Sequence, residues 1–175
     1  CSSDLGIQLT SQQDKDIRNY FDIRKILFHE FVELAKFLSN KVNHNIVIRP
    51  HPSENIKKYK KIFDNHKNIF VDYKYDIAPW IKCCDSVIHS LCTTAYESIL
   101  YKKRTICYLN KSALKGQQIK HLSQKVSKVA SCKDEVFHLL NMPVDKVNFD
   151  VSMMKDYINN IDGEDCIKKI INNLS

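Results

Sequence analysis

The feature that most constrains this chain is a repeated alternation of short β-branched apolar runs with amphipathic helical stretches. Asn45-Ile-Val-Ile-Arg49, Ile69-Phe-Val-Asp72, Ser86-Val-Ile-His89 and Arg104-Thr-Ile-Cys-Tyr-Leu109 read as strands, and Lys125 to Val129 as a further one. Ahead of them Ile23, Ile26, Leu27, Phe31, Leu34, Ala35 and Leu38 recur at helical spacing, which predicts a helix from Asp22 to about Val42. Helices are also expected from Ser53 or Glu54 to about Asn65, around Ile77 to Cys84, from Thr93 to Tyr101 and from Lys133 to Leu140. Two more are expected near Ser152 to Ile161 and Glu164 to Leu174. Short apolar strands separated by helices form parallel sheets covered on both faces. The expected fold is therefore α/β: one Rossmann-like open parallel sheet of four or five strands with helices on both faces. Ligands of such sheets bind at the carboxyl ends of the strands.

With 175 residues, 43% of them hydrophobic, the chain is long enough for one domain with its own core. Residues 1–21 are polar and read as an N-terminal arm or linker with a short helix near Asp16 to Tyr20, leaving 22–175 as the domain. A first residue of Cys1 rather than Met reads as a piece of a longer chain. The longest mainly apolar stretch, Ile26 to Leu38, is interrupted by His29, Glu30, Glu33 and Lys36, which argues against a membrane span of about 20 apolar residues.

Lys and Arg outnumber Asp and Glu by 27 to 20, a net charge of +7 that favours anionic partners such as phosphates, nucleotides, nucleic acid or lipid headgroups. The run Lys57-Lys58-Tyr59-Lys60-Lys61 resembles a nucleic-acid patch, but Ile56, Tyr59, Ile62 and Phe63 interleave at helical spacing. The lysines then form the solvated side of an amphipathic helix, and no nucleic-acid partner is expected. The cysteines are an odd set of seven, several in apolar runs, which points to a reducing compartment. No Cys-x-x-Cys pair and no regular histidine spacing suggests a metal, and none is expected. With glycines only at 6, 116 and 163, the chain has neither a Walker loop nor a dinucleotide fingerprint, which argues against a kinase or an NAD enzyme.

Two segments fall at strand carboxyl ends. In the first, Pro50 and Pro52 stiffen the backbone around His51, a candidate phosphate partner and catalytic residue. The alternative is a histidine bonded only within its own turn. Arg49 beside it is a second phosphate candidate, or a partner for Glu54. In the other segment, Ser90, Thr93 and Thr94 bring three hydroxyls to a helix start, where unpaired N–H groups favour phosphate. They are equally the residue types of ordinary N-caps. Glu97, one turn on, is placed to hold ribose hydroxyls or to pair with Lys102 or Arg104. Pro52, Trp80 and His89 are candidates for the pocket wall.

Taken together, Ile46-Val-Ile-Arg-Pro-His-Pro-Ser-Glu54, Ala78-Pro-Trp-Ile81 and Asp85-Ser-Val-Ile-His-Ser-Leu-Cys-Thr-Thr-Ala-Tyr-Glu97, followed by Lys103-Arg-Thr-Ile106, resemble a bacterial surface-carbohydrate biosynthesis family of GT-B-type glycosyltransferases. The resemblance spans about residues 22–110, and Gly163 to Ile170 is similar to the C-terminal helix of many GT-B proteins. The arrangement is similar to capsule sialyl- and Kdo-transferases, in which a His-Pro pair and a Ser/Thr pair bind the phosphate and nucleotide of a CMP-sugar, and more distantly to teichoic-acid glycerophosphotransferases. This implies a donor-binding, C-terminal GT-B half that takes a CMP- or UDP-linked sugar without a further cofactor. It also implies inverting, metal-independent transfer to a glycan or lipid-linked acceptor, together with an N-terminal GT-B domain. His51 and the Thr93-Thr94 helix start would neutralise the leaving phosphate, and Glu97 would hold the ribose. No residue stands out as the base, and this half alone is not expected to turn over. The implied location is cytoplasmic, with peripheral contact at the inner face of the membrane. A sugar-nucleotide epimerase, a glycerophosphotransferase or a non-catalytic nucleotide-binding module on the same scaffold are the alternatives.

Overall fold

The structure, a computed structural model, describes residues 10–114 and 121–143. It opens on a 29-residue helix, α1 (Ser11–Ser39), which starts about three turns before the apolar periodicity does. A capping box sets that start: the Thr10 hydroxyl accepts from the Gln13 amide, and the Gln13 side chain accepts the Thr10 N–H at 2.9 Å. Residues 11–21, read from the sequence as an arm with one short helix, are thus a helical extension that exposes Ile17, Tyr20 and Phe21. Residues 1–9 and both expected C-terminal helices lie outside the described residues.

Beyond α1 the order is β1 (Ile46–Ile48), α2 (Ile56–Phe63), β2 (Ile69–Val71), α3 (Ile77–Cys83), β3 (Ser86–His89), α4 (Thr94–Leu100), β4 (Arg104–Tyr108), a 3-10 turn at Leu122–Gln124, β5 (Lys128–Ala130) and α5 (Lys133–Asn141). The alternation is as expected and every strand pairing is parallel. Among the described residues the single continuous sheet is not found: β1 pairs with β2, and β3-β4-β5 form a separate three-stranded sheet. β1 has only three residues to offer a ladder, and Pro50, which lacks an N–H, closes it soon after.

Helix α1 carries both sheets. Leu34 and Leu38 pack with Ile106, Tyr108, Ala130 and Val136, while Val32 and Ala35 pack with Phe63 and Ile69. Burying one such leucine stabilises the fold by about 2 kcal/mol. All five residues of β4 are buried, and since neighbouring strand residues point to opposite faces, both faces of the three-stranded sheet are covered there. The two-stranded sheet differs. Ile46, Ile48, Ile69 and Val71 face α1 and α2, but Val47 and its register partner Phe70 remain 42% and 48% exposed. Among the described residues, helices on both faces hold for one sheet and not for the other.

On α2, Tyr59, Ile62 and Phe63 join the core and Lys57, Lys58, Lys60 and Lys61 are exposed, as the interleaved spacing predicts. Two polar clamps fix β4 at its ends. At the carboxyl end Glu30 accepts from the Tyr108 hydroxyl at 3.0 Å and from Asn110 Nδ2 at 2.6 Å; burial and this acidic partner push the Tyr108 hydroxyl above its usual range. At the amino end the buried Arg104 guanidinium donates to the carbonyls of Leu140 and Met142, placing a cation at the C-terminus of α5. Among the described residues no helix is long and apolar enough to cross a membrane.

Candidate functional site

The two loops singled out by the sequence leave β1 and β3 beside the same turn of α1. Ile48, at the end of β1, packs in one cluster with Phe28; Leu91, just after β3, packs in another with Leu27. Both loops follow the carboxyl ends of strands in parallel pairs.

In the first loop His51 is exposed and Pro50 buried. The His51 backbone N–H donates to Glu54 Oε2 at 2.8 Å, and the Ser53 backbone N–H donates to His51 Nδ1 at 3.2 Å. Because a backbone N–H only donates, Nδ1 is the acceptor, and the proton of the neutral ring sits on Nε2. The Ser53 hydroxyl, 2.7 Å from Nδ1, adds to the same lock. His51 is therefore bonded within its turn through one nitrogen, and the other is a donor. Arg49 does not pair with Glu54. It donates to the carbonyls of Lys74 and Tyr75 at 3.1 and 3.0 Å and lies over the Trp80 ring at 5.5 Å. Trp80 Nε1 also donates to the Lys74 carbonyl, at 3.0 Å. Arg49 and Trp80 thus brace the turn in which Tyr75 takes a left-handed φ of 66°. Pro52 is exposed beside His51.

In the second loop the expected capping role of the hydroxyls is not taken up. Thr93 is the N-cap of α4, but its side chain makes no cap hydrogen bond. The Ser90 hydroxyl is buried without a partner. Thr94 is half-buried, and its carbonyl accepts from the Ser98 hydroxyl at 2.7 Å. Leu91, between them, has a φ of 53°, a left-handed conformation that costs a non-glycine residue about 1–3 kcal/mol. Such strain at a strand end is a common companion of binding loops. Glu97 is half-buried, and among the described residues it forms no ion pair with Lys102 or Arg104.

His89 is a buried group rather than a pocket wall: 4% of its surface is exposed. The Ser127 hydroxyl donates to the Ser123 carbonyl at 2.7 Å, so toward His89 Nε2, 2.8 Å away, it accepts. The His89 proton is therefore on Nε2, and Nδ1 is a buried acceptor with no partner. Burial, and secondarily the charge of His121, lowers the His89 pKa from 6.5 to about 4. This ring stays neutral near pH 7.

Sequence reasoning missed His121, Ser123 and Ser127, which the fold brings to His89. His121 repeats the geometry of His51: its Nδ1 accepts the Ser123 N–H at 3.2 Å and lies 2.7 Å from the Ser123 hydroxyl. The repeated His-x-Ser spacing, His51-Pro-Ser53 and His121-Leu-Ser123, is a signal that could have found it. A surface depression of about 360 Å³ lies elsewhere, lined by Val129, Cys132, Asp134, Glu135, His138 and Leu139, and includes none of the candidate residues. Among the described residues no cluster of three His, Cys, Asp or Glu side chains is arranged for a metal.

The chain matches no protein-family model, no curated protein and no solved structure. Any functional reading therefore rests on these loops and on the resemblance of their motifs.

Proposed function

We propose that this chain is the nucleotide-sugar-binding, Rossmann-like half of a GT-B-type glycosyltransferase of bacterial surface-polysaccharide synthesis, acting on a CMP- or UDP-linked sugar. The observation that carries the reading is a set of hydrogen-bond donors left unspent at strand carboxyl ends. His51 is held through Nδ1 so that Nε2–H is the free donor, and the Ser90 hydroxyl is buried without a partner. Donors that the protein does not satisfy are suited to phosphate oxygens.

In this reading the bond from the sugar's anomeric carbon to the phosphate breaks and negative charge builds on the leaving phosphate. His51 Nε2–H and the hydroxyls of Ser90, Thr93 and Thr94 offset that charge from fixed positions, an electrostatic role that does not call for a bound cation. Glu97, with no ion-pair partner among the described residues, is left to accept from ribose hydroxyls. Arg49 and Trp80 act at one remove, by holding the neighbouring turn. The acceptor and its base belong to a second, N-terminal GT-B domain. A net charge of +7 supports peripheral contact with an anionic inner membrane face that would present lipid-linked acceptors.

The test is calorimetric titration of CMP, CDP, UDP and GDP into the wild type, His51→Ala and Thr93→Val. Preference for one nucleotide, weakened about tenfold or more by either substitution, is the expected result; one lost charge-assisted hydrogen bond is worth about 1.5–3 kcal/mol. A glycerophosphotransferase or an epimerase on this scaffold would prefer a different nucleotide. Absence of binding at millimolar concentrations would count against the donor-site reading and favour a non-catalytic module.

A further inference from the structure

The first turns of α1 have no core to join. Ile17, Tyr20 and Phe21 belong to none of the apolar clusters formed by the described residues, and Tyr20 and Phe21 are each 58% exposed. A helical stretch of this length is marginal in water without an apolar partner. The capping box at Thr10 starts the helix, but what residues 11–21 then present to solvent includes an apolar stripe. Further along the same line of the helix, Phe28 packs edge-on against Tyr59 of α2 at 5.2 Å between ring centres. That line is therefore used by the core at Phe28 and bare at Phe21 and Ile17.

The order of residues along the stripe decides what fits it. Asp14, Ile17, Phe21 and Arg24 follow one another at steps of three, four and three, the spacing that lines up side chains along the seam of two paired helices. The seam reads acid, apolar, apolar, base over about 15 Å, so it is complementary to itself when run backwards. Set antiparallel against a second copy, Asp14 meets Arg24 and Ile17 meets Phe21, each pair occurring twice about a two-fold axis. Parallel pairing would put Asp14 against Asp14 and Arg24 against Arg24, where like charges repel. The charges are available for the antiparallel arrangement. Arg24 forms no ion pair among the described residues, its guanidinium lying over the Tyr20 ring at 5.9 Å. Asp14 is bonded to Arg18 at 2.8 Å but keeps 47% of its side chain exposed, and a carboxylate can accept from a second cation.

We propose that α1 pairs antiparallel with α1 of a second copy of this chain through Asp14, Ile17, Phe21 and Arg24, forming a two-fold dimer. About three turns of helix on each side are a small contact, so the association is weak and reversible. The proposal is independent of the glycosyltransferase reading.

The test is sedimentation velocity of the chain at concentrations up to about 1 mM, where complexes with small interfaces are populated. The wild type should show a concentration-dependent dimer, and Phe21→Ser should weaken it at least about tenfold. Asp14→Arg and Arg24→Asp should each be monomeric, because either variant sets like charges against each other in its own dimer. An equimolar mixture of the two restores both opposite-charge pairs and should dimerise. A wild type that stays monomeric overturns the proposal, and so does a mixture that associates no better than either variant alone. The contact itself is read by photo-crosslinking with p-benzoylphenylalanine in place of Phe21. The expected adduct has twice the chain mass and maps to the peptide of the other copy that holds Ile17. An adduct within one chain, or one mapping elsewhere on the second copy, would assign the stripe to a different occupant and overturn the proposal.

Discussion

Lowering the pH should weaken this fold through His89 in particular. In the folded chain the ring is 4% exposed, its Nε2–H is committed to Ser127, and burial lowers its pKa from 6.5 to about 4. The unfolded chain takes up a proton near 6.5, so between the two values the unfolded state binds more protons and stability rises with pH. The contribution is fully present above 6.5 and is lost as the pH falls toward 4. At 1.36 kcal/mol per pH unit the complete loss is about 3 kcal/mol, most of it gone by about pH 4.5. Against a typical stability of about 5–15 kcal/mol this is a large share. The measurement is urea unfolding of wild type and His89→Gln at about pH 7 and pH 4.5. Glutamine does not titrate and keeps an N–H for Ser127, so the difference between the two proteins isolates the ring. The wild type should lose about 2 kcal/mol more than the variant over this interval. Parallel losses would refute the argument, because they would mean that His89 protonates as readily in the folded chain as in the unfolded one.

Four other outcomes follow from the geometry. Leu34→Ala, at a position 2% exposed that packs across to β4 and α5, should cost about 3 kcal/mol by chemical denaturation. Tyr108→Phe removes one of the two donors to Glu30 and should cost about 1–2 kcal/mol, Asn110 remaining in place, as read by the same unfolding assay. Lys102 sits at a left-handed φ of 54° after α4, where the Lys103 N–H bonds the Ser98 carbonyl and the Lys102 N–H bonds the Ile99 carbonyl; Lys102→Gly should raise stability by about 1 kcal/mol, seen as a higher denaturation midpoint. Arg49→Ala frees the 74–75 turn and uncovers the single tryptophan, so Trp80 emission should move to longer wavelength in the folded protein.

Local pattern was enough for the element order. β-branched runs such as Ile46-Val-Ile48 and the three- and four-residue steps of Ile23 to Leu38 announce their own conformation, because period and propensity act over a few residues. The start of α1 is also written locally, in the Thr10-x-x-Gln13 capping box, but apolar periodicity alone put it at Asp22. His51 falls in the same class: Pro50, Pro52 and Ser53 surround it in the chain, and its bonds reach no further than Glu54. Contacts between distant residues were out of reach of such reasoning. His89 meets Ser127 across 38 positions, and Glu30 meets Tyr108 across 78, so neither the unpartnered nitrogen nor the clamp has a signature in any window of sequence. The same holds for the division into two sheets and the uncovered pair Val47 and Phe70. Strand propensity makes a strand, but which neighbour it bonds and which face it buries are settled by the packing of α1 against both sheets at once.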